Sequence, residues 1–157
     1  MLKPEGWYHT GIVVSEFDAA LERLSAQAGY RFAEPLELEF PVRTAKGESA
    51  VTLRFTYSRP PGPQVEVIQE VPGTIYVPEP GSGLHHLGYW VDDVDAASAA
   101  LEAAGAPLEA AGPSPDGTLM WAYHRPESGP RYELVRSDAK PMLEAWWNGE
   151  DLPDLPG

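Results

Sequence analysis

The stretch His9-Thr10-Gly11-Ile12-Val13-Val14-Ser15-Glu16-Phe17-Asp18-Ala19-Ala20 returns 77 residues later as His86-Leu87-Gly88-Tyr89-Trp90-Val91-Asp92-Asp93-Val94-Asp95-Ala96-Ala97. Extended to residue 26, eight of the eighteen aligned pairs are identical. Unrelated segments would share about one or two. Duplication explains the excess, so the chain reads as two copies of one module. Within each copy a short apolar, β-rich run (8–14 and 85–91) leads into a helical pattern. Ser15 with Asp18, and Asp92 with Asp95, mark the helix starts. Phe17, Ala20, Leu21 and Leu24 then recur at helical spacing, as do Val94, Ala97 and Leu101. Gly29 and Gly105 stand where helices end.

Further strands are expected at 30–34, 50–57 and 64–69 in the first copy and at 107–110, 118–124 and 131–136 in the second. Proline and glycine clusters at 59–63 and 126–130 separate the last two strands of each copy. The fold expected is therefore α+β: two βαβββ modules, 7–69 and 85–136, joined by a linker at 70–84. They form a cupped mixed sheet with the helices on its outer face. Residues 1–140 make one domain, and 141–157 give a short helix around Met142, Leu143, Trp146 and Trp147 followed by an acidic tail.

Bulk composition excludes several function classes. The 157 residues carry 11 basic and 24 acidic side chains, a net charge of −13. No basic stripe compensates, so nucleic acid is not an expected partner. No run is long and apolar enough for a membrane span, and the first residues lack an apolar signal region, which points to a cytoplasmic protein. Without cysteine there are neither disulfides nor thiolate ligands, so any metal must sit on histidine, carboxylate or water.

Strand alternation sorts the candidate ligands. If Ile12 and Val14, and Tyr89 and Val91, pack under the helices, then His9, Gly11 and Val13 face the cup with His86, Gly88 and Trp90. Likewise Val65 and Val67, and Tyr132 and Leu134, belong to the helix side. Glu66 and Glu133 then point the same way as the histidines. Two imidazoles and two carboxylates suit a divalent Zn, Fe, Ni, Co or Mn ion, and their formal −2 charge balances it. By the same alternation Thr52, Arg54 and Thr56 face the cup, while Val51, Leu53 and Phe55 face the helices. Leu119, Trp121 and Tyr123 line the matching wall. Trp90, Trp121 and Tyr123 would suit an apolar or aromatic ligand, and Arg54 would clamp an anionic oxygen. His85 is expected to point away or to start its strand, supporting a ligand at most. His124 is either a rim contact or without a role.

The paired strands "HTGIVV" and "HHLGYWVDDVDAA", with "VEVIQ" and "YELVR", resemble the vicinal oxygen chelate superfamily over about residues 7–136. This group includes glyoxalase I, methylmalonyl-CoA epimerase, extradiol dioxygenases and bleomycin-resistance proteins, and the look is nearest the epimerase-like branch. The resemblance implies metal ligands at His9, Glu66, His86 and Glu133 and a homodimer. The epimerases carry Gln at the position of Glu66, where this chain is nearer bacterial glyoxalase I. The activity implied is metal-assisted proton transfer on a small carbonyl-containing substrate, as in an isomerase, epimerase or glyoxalase-type lyase, with Glu133 as first choice of base and Glu66 as its partner. The alternatives are a non-haem iron ring-cleaving dioxygenase and a non-catalytic small-molecule binder.

Overall fold

The computed structural model describes residues 2–150. The expected acidic tail lies, beyond Glu150, outside the described residues. Module one runs β1 (Trp7–Val14), α1 (Phe17–Ala28), β2 (Leu36–Thr44), β3 (Gly47–Tyr57) and β4 (Gln64–Gln69). Module two repeats it as β5 (Leu84–Val91), α2 (Val94–Ala103), β6 (Leu108–Pro113), β7 (Leu119–His124) and β8 (Arg131–Arg136), and α3 (Lys140–Trp147) follows. The strands close into a barrel in the order β1-β4-β3-β2-β6-β7-β8-β5. Pairing is parallel for β1 with β4 and β5 with β8, and antiparallel elsewhere.

Both helices lie on the outer face, each covering an apolar strip of its own module. Phe17, Ala20, Leu21 and Leu24 of α1 pack on Ile12, Val14, Val65 and Val67. Val94, Ala97 and Leu101 of α2 pack on Ala111, Leu119, Ala122 and Leu134. Each fully buried side chain of this kind stabilises the fold by about 1.5–3 kcal/mol. The start of α1 is capped one residue later than the sequence suggests, at Glu16, without a side-chain bond. In α2 it is Asp93 whose carboxylate accepts from the Ala96 amide. Gly29 ends α1 at φ 73°, a left-handed turn that glycine adopts without steric cost.

Several expectations require correction. The strand expected at 30–34 is reduced to a single bridge between Phe32 and Ser58. The true second strand is Leu36–Thr44, in which Leu36, Leu38, Phe40 and Val42 point inward. Pro41 sits inside it because β2 pairs with β6 only at Arg43 and Thr44, leaving the flank where an N–H would be needed largely unpaired.

The faces of β3 are the reverse of those expected. Val51, Leu53 and Phe55 fill the barrel interior with Tyr57. Arg54 points outward, forming a bidentate pair with Asp18 of α1 at 2.9 and 3.2 Å and lying 4.5 Å over the Phe17 ring. It therefore does not reach the cup. Thr52 is exposed. Thr56 donates to the Ala33 carbonyl. The physical reason is that most of the outer face of β3 meets water, so its apolar side chains have to turn inward. Leu119 likewise joins the α2 cluster rather than the interior wall, next to a register shift between β6 and β7.

Finally, His124 is not at the rim: its ring bonds the Ala106 carbonyl and the Ser98 hydroxyl, both at 2.9 Å, tying α2 to β7. Among the described residues no helix is long and apolar enough to cross a membrane.

Because Arg54 only clips α1 to the barrel at a half-exposed position, Arg54→Ala is expected to lower stability by less than about 1.5 kcal/mol. Metal uptake should stay unchanged. Denaturant melts and metal titration of the variant check both.

Candidate metal centre

The first strands of the two modules pair antiparallel, with Gly11 opposite His86 and His9 opposite Gly88. Each histidine ring therefore lies over the glycine of the other module. A Cβ on Gly11 would sit 1.9 Å from His86 Cε1, and one on Gly88 would sit 1.9 Å from His9 Cε1. Only hydrogen fits at either position. Along the parallel pairs, Glu66 lies beside Gly11 and Glu133 beside Gly88. All four side chains thus meet at the seam between the modules.

Their donor atoms converge. His9 Nε2 and His86 Nε2 are 2.8 Å apart. Glu66 Oε2 is 3.4 Å from His9 Nε2 and 3.1 Å from His86 Nε2. Glu133 Oε2 is 3.1 and 3.3 Å from the same two nitrogens. One ligand atom from each residue lies within 4.8 Å of all the others, and all four residues are buried. A shell with bonds of about 2.0–2.2 Å has edges of about 2.8–3.6 Å, from octahedral to tetrahedral. The five separations that involve a histidine nitrogen fall in that window. Glu66 Oε2 and Glu133 Oε2 are buried without a hydrogen-bond partner, which is costly for carboxylates unless a cation satisfies them. The residues present therefore fit a divalent ion.

Protonation follows from the same crowding. Burial opposes charge on both imidazoles, yet the Glu133 and Glu66 carboxylates outweigh it. His9 is raised from its usual value and His86 is pushed up to about 9. Burial likewise opposes charge on Glu66 and Glu133, and the two histidines hold both carboxyls below the usual range.

His85 lies near the start of its strand and supports a ligand, as the sequence suggests, but it faces inward rather than away. A register shift in β5 at this point turns it inward together with His86. Its Nε2 bonds the Ile75 carbonyl at 2.8 Å and its Nδ1 faces His86 Nδ1 at 2.9 Å. A carbonyl can only accept, so His85 Nε2 carries the hydrogen. Burial first, then the charges of His86 and Arg131, lower its pKa to about 3, so the ring stays neutral and its Nδ1 is a bare acceptor. His86 must then donate from Nδ1, which leaves its Nε2 lone pair toward the cluster when that ring is singly protonated. This relay fixes the tautomer of one ligand.

The surrounding wall is aromatic. Tyr57 stands edge-on to His9 at 5.2 Å and Tyr123 edge-on to His86 at 5.1 Å, each directly across the ladder from a glutamate. Trp90 and Trp121 lie in the interior cluster as expected, Trp121 above Gly112, where a Cβ would collide with its ring. Tyr8, Tyr57 and Tyr76 were not foreseen. Extending the repeat one residue upstream, so that Tyr8 aligns with His85, would have flagged the first. Tyr8 is kept protonated by burial and by the charges of Glu133 and Glu66.

The mouth of the cup is filled. Trp146 and Trp147 of α3 are buried against Phe55, Tyr57 and Tyr8, with Trp146 Nε1 donating to the Glu34 carbonyl at 3.1 Å. Linker residues Val71, Ile75 and Tyr76 close the other side.

The model of the Glyoxalase/Bleomycin resistance protein/Dioxygenase superfamily matches residues 8–123, and the chain belongs to this superfamily. No curated protein matches the chain. Among solved structures it is similar to the methylmalonyl-CoA epimerase from Mycobacterium tuberculosis, at 20% identity and TM-score 0.59, covering 87% of this chain and 92% of that one. It is similar also to a methylmalonyl-CoA epimerase in complex with methylmalonyl-CoA and NH4+, at 19% identity and TM-score 0.59, covering 85% and 94%. A third likeness is hypothetical protein BH1468 from Bacillus halodurans C-125, at 18% identity and TM-score 0.57, covering 83% and 92%. At these identities the likeness is one of fold.

Gly88→Ala is expected to displace the His9 ring, weakening metal binding by at least about ten- to a hundredfold. Overpacking should cost about 1–3 kcal/mol of stability. Metal titration and thermal melts read these separately. Metal uptake should also release protons at pH 7, and the apparent affinity should climb until His86 is neutral above about pH 9. Calorimetry in buffers of different ionisation enthalpy tests this, and an affinity flat from pH 6 to 9 contradicts it.

Proposed function

We propose that the protein is a divalent-metal-dependent enzyme moving a proton at a carbon next to a carbonyl, as an epimerase, an isomerase or a glyoxalase-type lyase does. The observation that carries this reading is the convergence of His9, Glu66, His86 and Glu133, with both Oε2 atoms unpartnered. A divalent ion bound there would polarise a carbonyl oxygen of the substrate and acidify the neighbouring C–H.

The chain's own residues supply the remainder. Glu133 accepts the proton, and the electron pair of the broken C–H bond stays on the substrate as an enolate. Glu66 stands across the cluster, so a proton delivered from its side reaches the opposite face or the neighbouring carbon. No oxidant is needed, and the atoms balance in either direction. Two carboxylates sharing one site with two imidazoles suit such paired acid and base roles. Trp90, Trp121 and Tyr123 form the apolar wall for the remainder of a small, apolar or aromatic substrate.

Substrate entry requires the mouth to open. Linker 70–83 is pinned by the Arg125 and Arg131 pairs to Glu79 and by the Ile75 contact to His85. The strands are locked in the barrel ladders. Among the described residues the polar hold of α3 on the barrel is the one Trp146 bond to Glu34, which makes α3 the element to yield. An iron dioxygenase is disfavoured because Glu66, as a fourth donor, crowds the positions oxygen would need.

Compared at equal metal occupancy, Glu133→Gln is expected to lower α-proton exchange of a bound carbonyl substrate by about 10²–10⁴-fold. Deuterium incorporation from D2O into α-substituted acyl thioesters and ketoaldehyde hemithioacetals, followed by NMR, measures it. Exchange at the wild-type rate would reject Glu133 as the base.

A further inference from the structure

Among the described residues, four buried polar side-chain atoms lack a hydrogen-bond partner: His9 Nδ1, Glu66 Oε2, Glu133 Oε2 and the Tyr8 hydroxyl. Three belong to the metal-ligand residues. The fourth belongs to the residue beside His9. Other buried charge is satisfied by contrast: Arg131 is saturated by Glu79 and Glu109, and His124 by Ser98 and Ala106. Unmet hydrogen bonding is therefore concentrated at one place in the molecule, and a buried hydroxyl without a partner is unfavourable enough to require an explanation.

The duplication sharpens the point. Tyr8 and His85 occupy matching positions, each preceding a ligand histidine and each turned inward where the pairing of β1 with β5 slips register. In the second module the turned-in residue is fully occupied, with one ring nitrogen on Ile75 and the other on His86. In the first module it is a phenol that stacks on Trp90 at 3.8 Å and 11° and meets His9 edge-on at 4.3 Å. The stacking fixes the ring without using the hydroxyl. On its other flank are Tyr57, whose side chain comes near the Tyr8 hydroxyl without completing a hydrogen bond, and Trp147 of α3.

We propose that Tyr8 is a catalytic residue whose hydroxyl donates a hydrogen bond to the substrate oxygen that becomes negative when the α-proton leaves. This rests on the proton-transfer reading above and adds a group that the four ligands do not include. A buried donor held in place before substrate arrives needs little reorganisation when charge develops, the condition under which such donors act most strongly. It restricts the substrate class to carbonyl compounds whose enolate oxygen binds on the Tyr8 side of the cluster, next to the opening covered by α3.

The test compares wild type with Tyr8→Phe, both loaded with Co(II) and titrated with acetohydroxamate, an anion that chelates through two oxygens as an enolate would. Visible spectra report the metal. Both proteins are expected to take up Co(II) equally with the same spectrum. Acetohydroxamate is expected to bind the variant about ten- to a hundredfold more weakly, the value of a hydrogen bond to a charged oxygen. The melting temperature of the metal-free variant is expected to fall little, since the polar neighbour of the deleted hydroxyl is the Tyr57 side chain. Equal acetohydroxamate affinity overturns the role of Tyr8, as does impaired Co(II) uptake by the variant, which makes the hydroxyl structural. If wild type takes up no Co(II), or takes it up and does not bind acetohydroxamate, the metal-assisted reading itself falls and the role of Tyr8 with it.

Discussion

The structure depends on one reciprocal contact, the histidine of each module resting on the glycine of the other. Antiparallel pairing of β1 with β5 places His9 against Gly88 and His86 against Gly11, and the missing Cβ atoms make the space for both rings. Neither module can build the cluster alone. Each supplies one imidazole, one carboxylate and the gap its neighbour's imidazole occupies. Fold and site are for this reason one problem, since a slip of one residue in the seam would turn both histidines out of the barrel.

Around that symmetric centre the two copies have diverged. Tyr57 and Tyr123 remain matched, each edge-on to a ligand ring. Tyr8 and His85 do not: one copy supports its ligand through a hydrogen-bond relay to Ile75, the other keeps a hydroxyl in reserve. The aromatic side chains do further work by excluding water. Imidazoles and carboxylates this crowded would exchange protons with solvent in an open cleft, whereas beneath Tyr8, Tyr57 and the two tryptophans of α3 their charges act through a medium of low polarity.

Much of this was legible in the sequence. The repeat at an offset of 77 marks the two modules, and strand alternation puts His9, Glu66, His86 and Glu133 on one face, where their donor atoms converge in the structure. Alternation failed where its premise failed. It assumes that the apolar side of a strand faces the helices, and in a closed barrel the interior competes for the same residues. For β1 and β4 both faces are covered and the helix-side assignment holds. For β3 the outside is mostly wet, so Val51, Leu53 and Phe55 turn in and Arg54 turns out to Asp18. The ladder itself carries the missing information: Tyr57 pairs with Glu66 and so shares its face, which fixes the parity of β3 once that pairing is known. Strand β2 was hidden by Pro41, a residue that usually argues against a strand interior. Docking of α3 depends on contacts more than 80 residues apart in sequence, between Trp146 and Phe55 or Tyr57, which no local pattern encodes.

The most direct measurement is anomalous scattering from crystals of the metal-loaded protein, recorded on both sides of the absorption edge. A single peak per chain is predicted, about 2.0–2.2 Å from His9 Nε2, His86 Nε2 and one oxygen each of Glu66 and Glu133. A peak elsewhere on the chain, or one bound by only one module, would contradict the claim that the two copies create the site jointly.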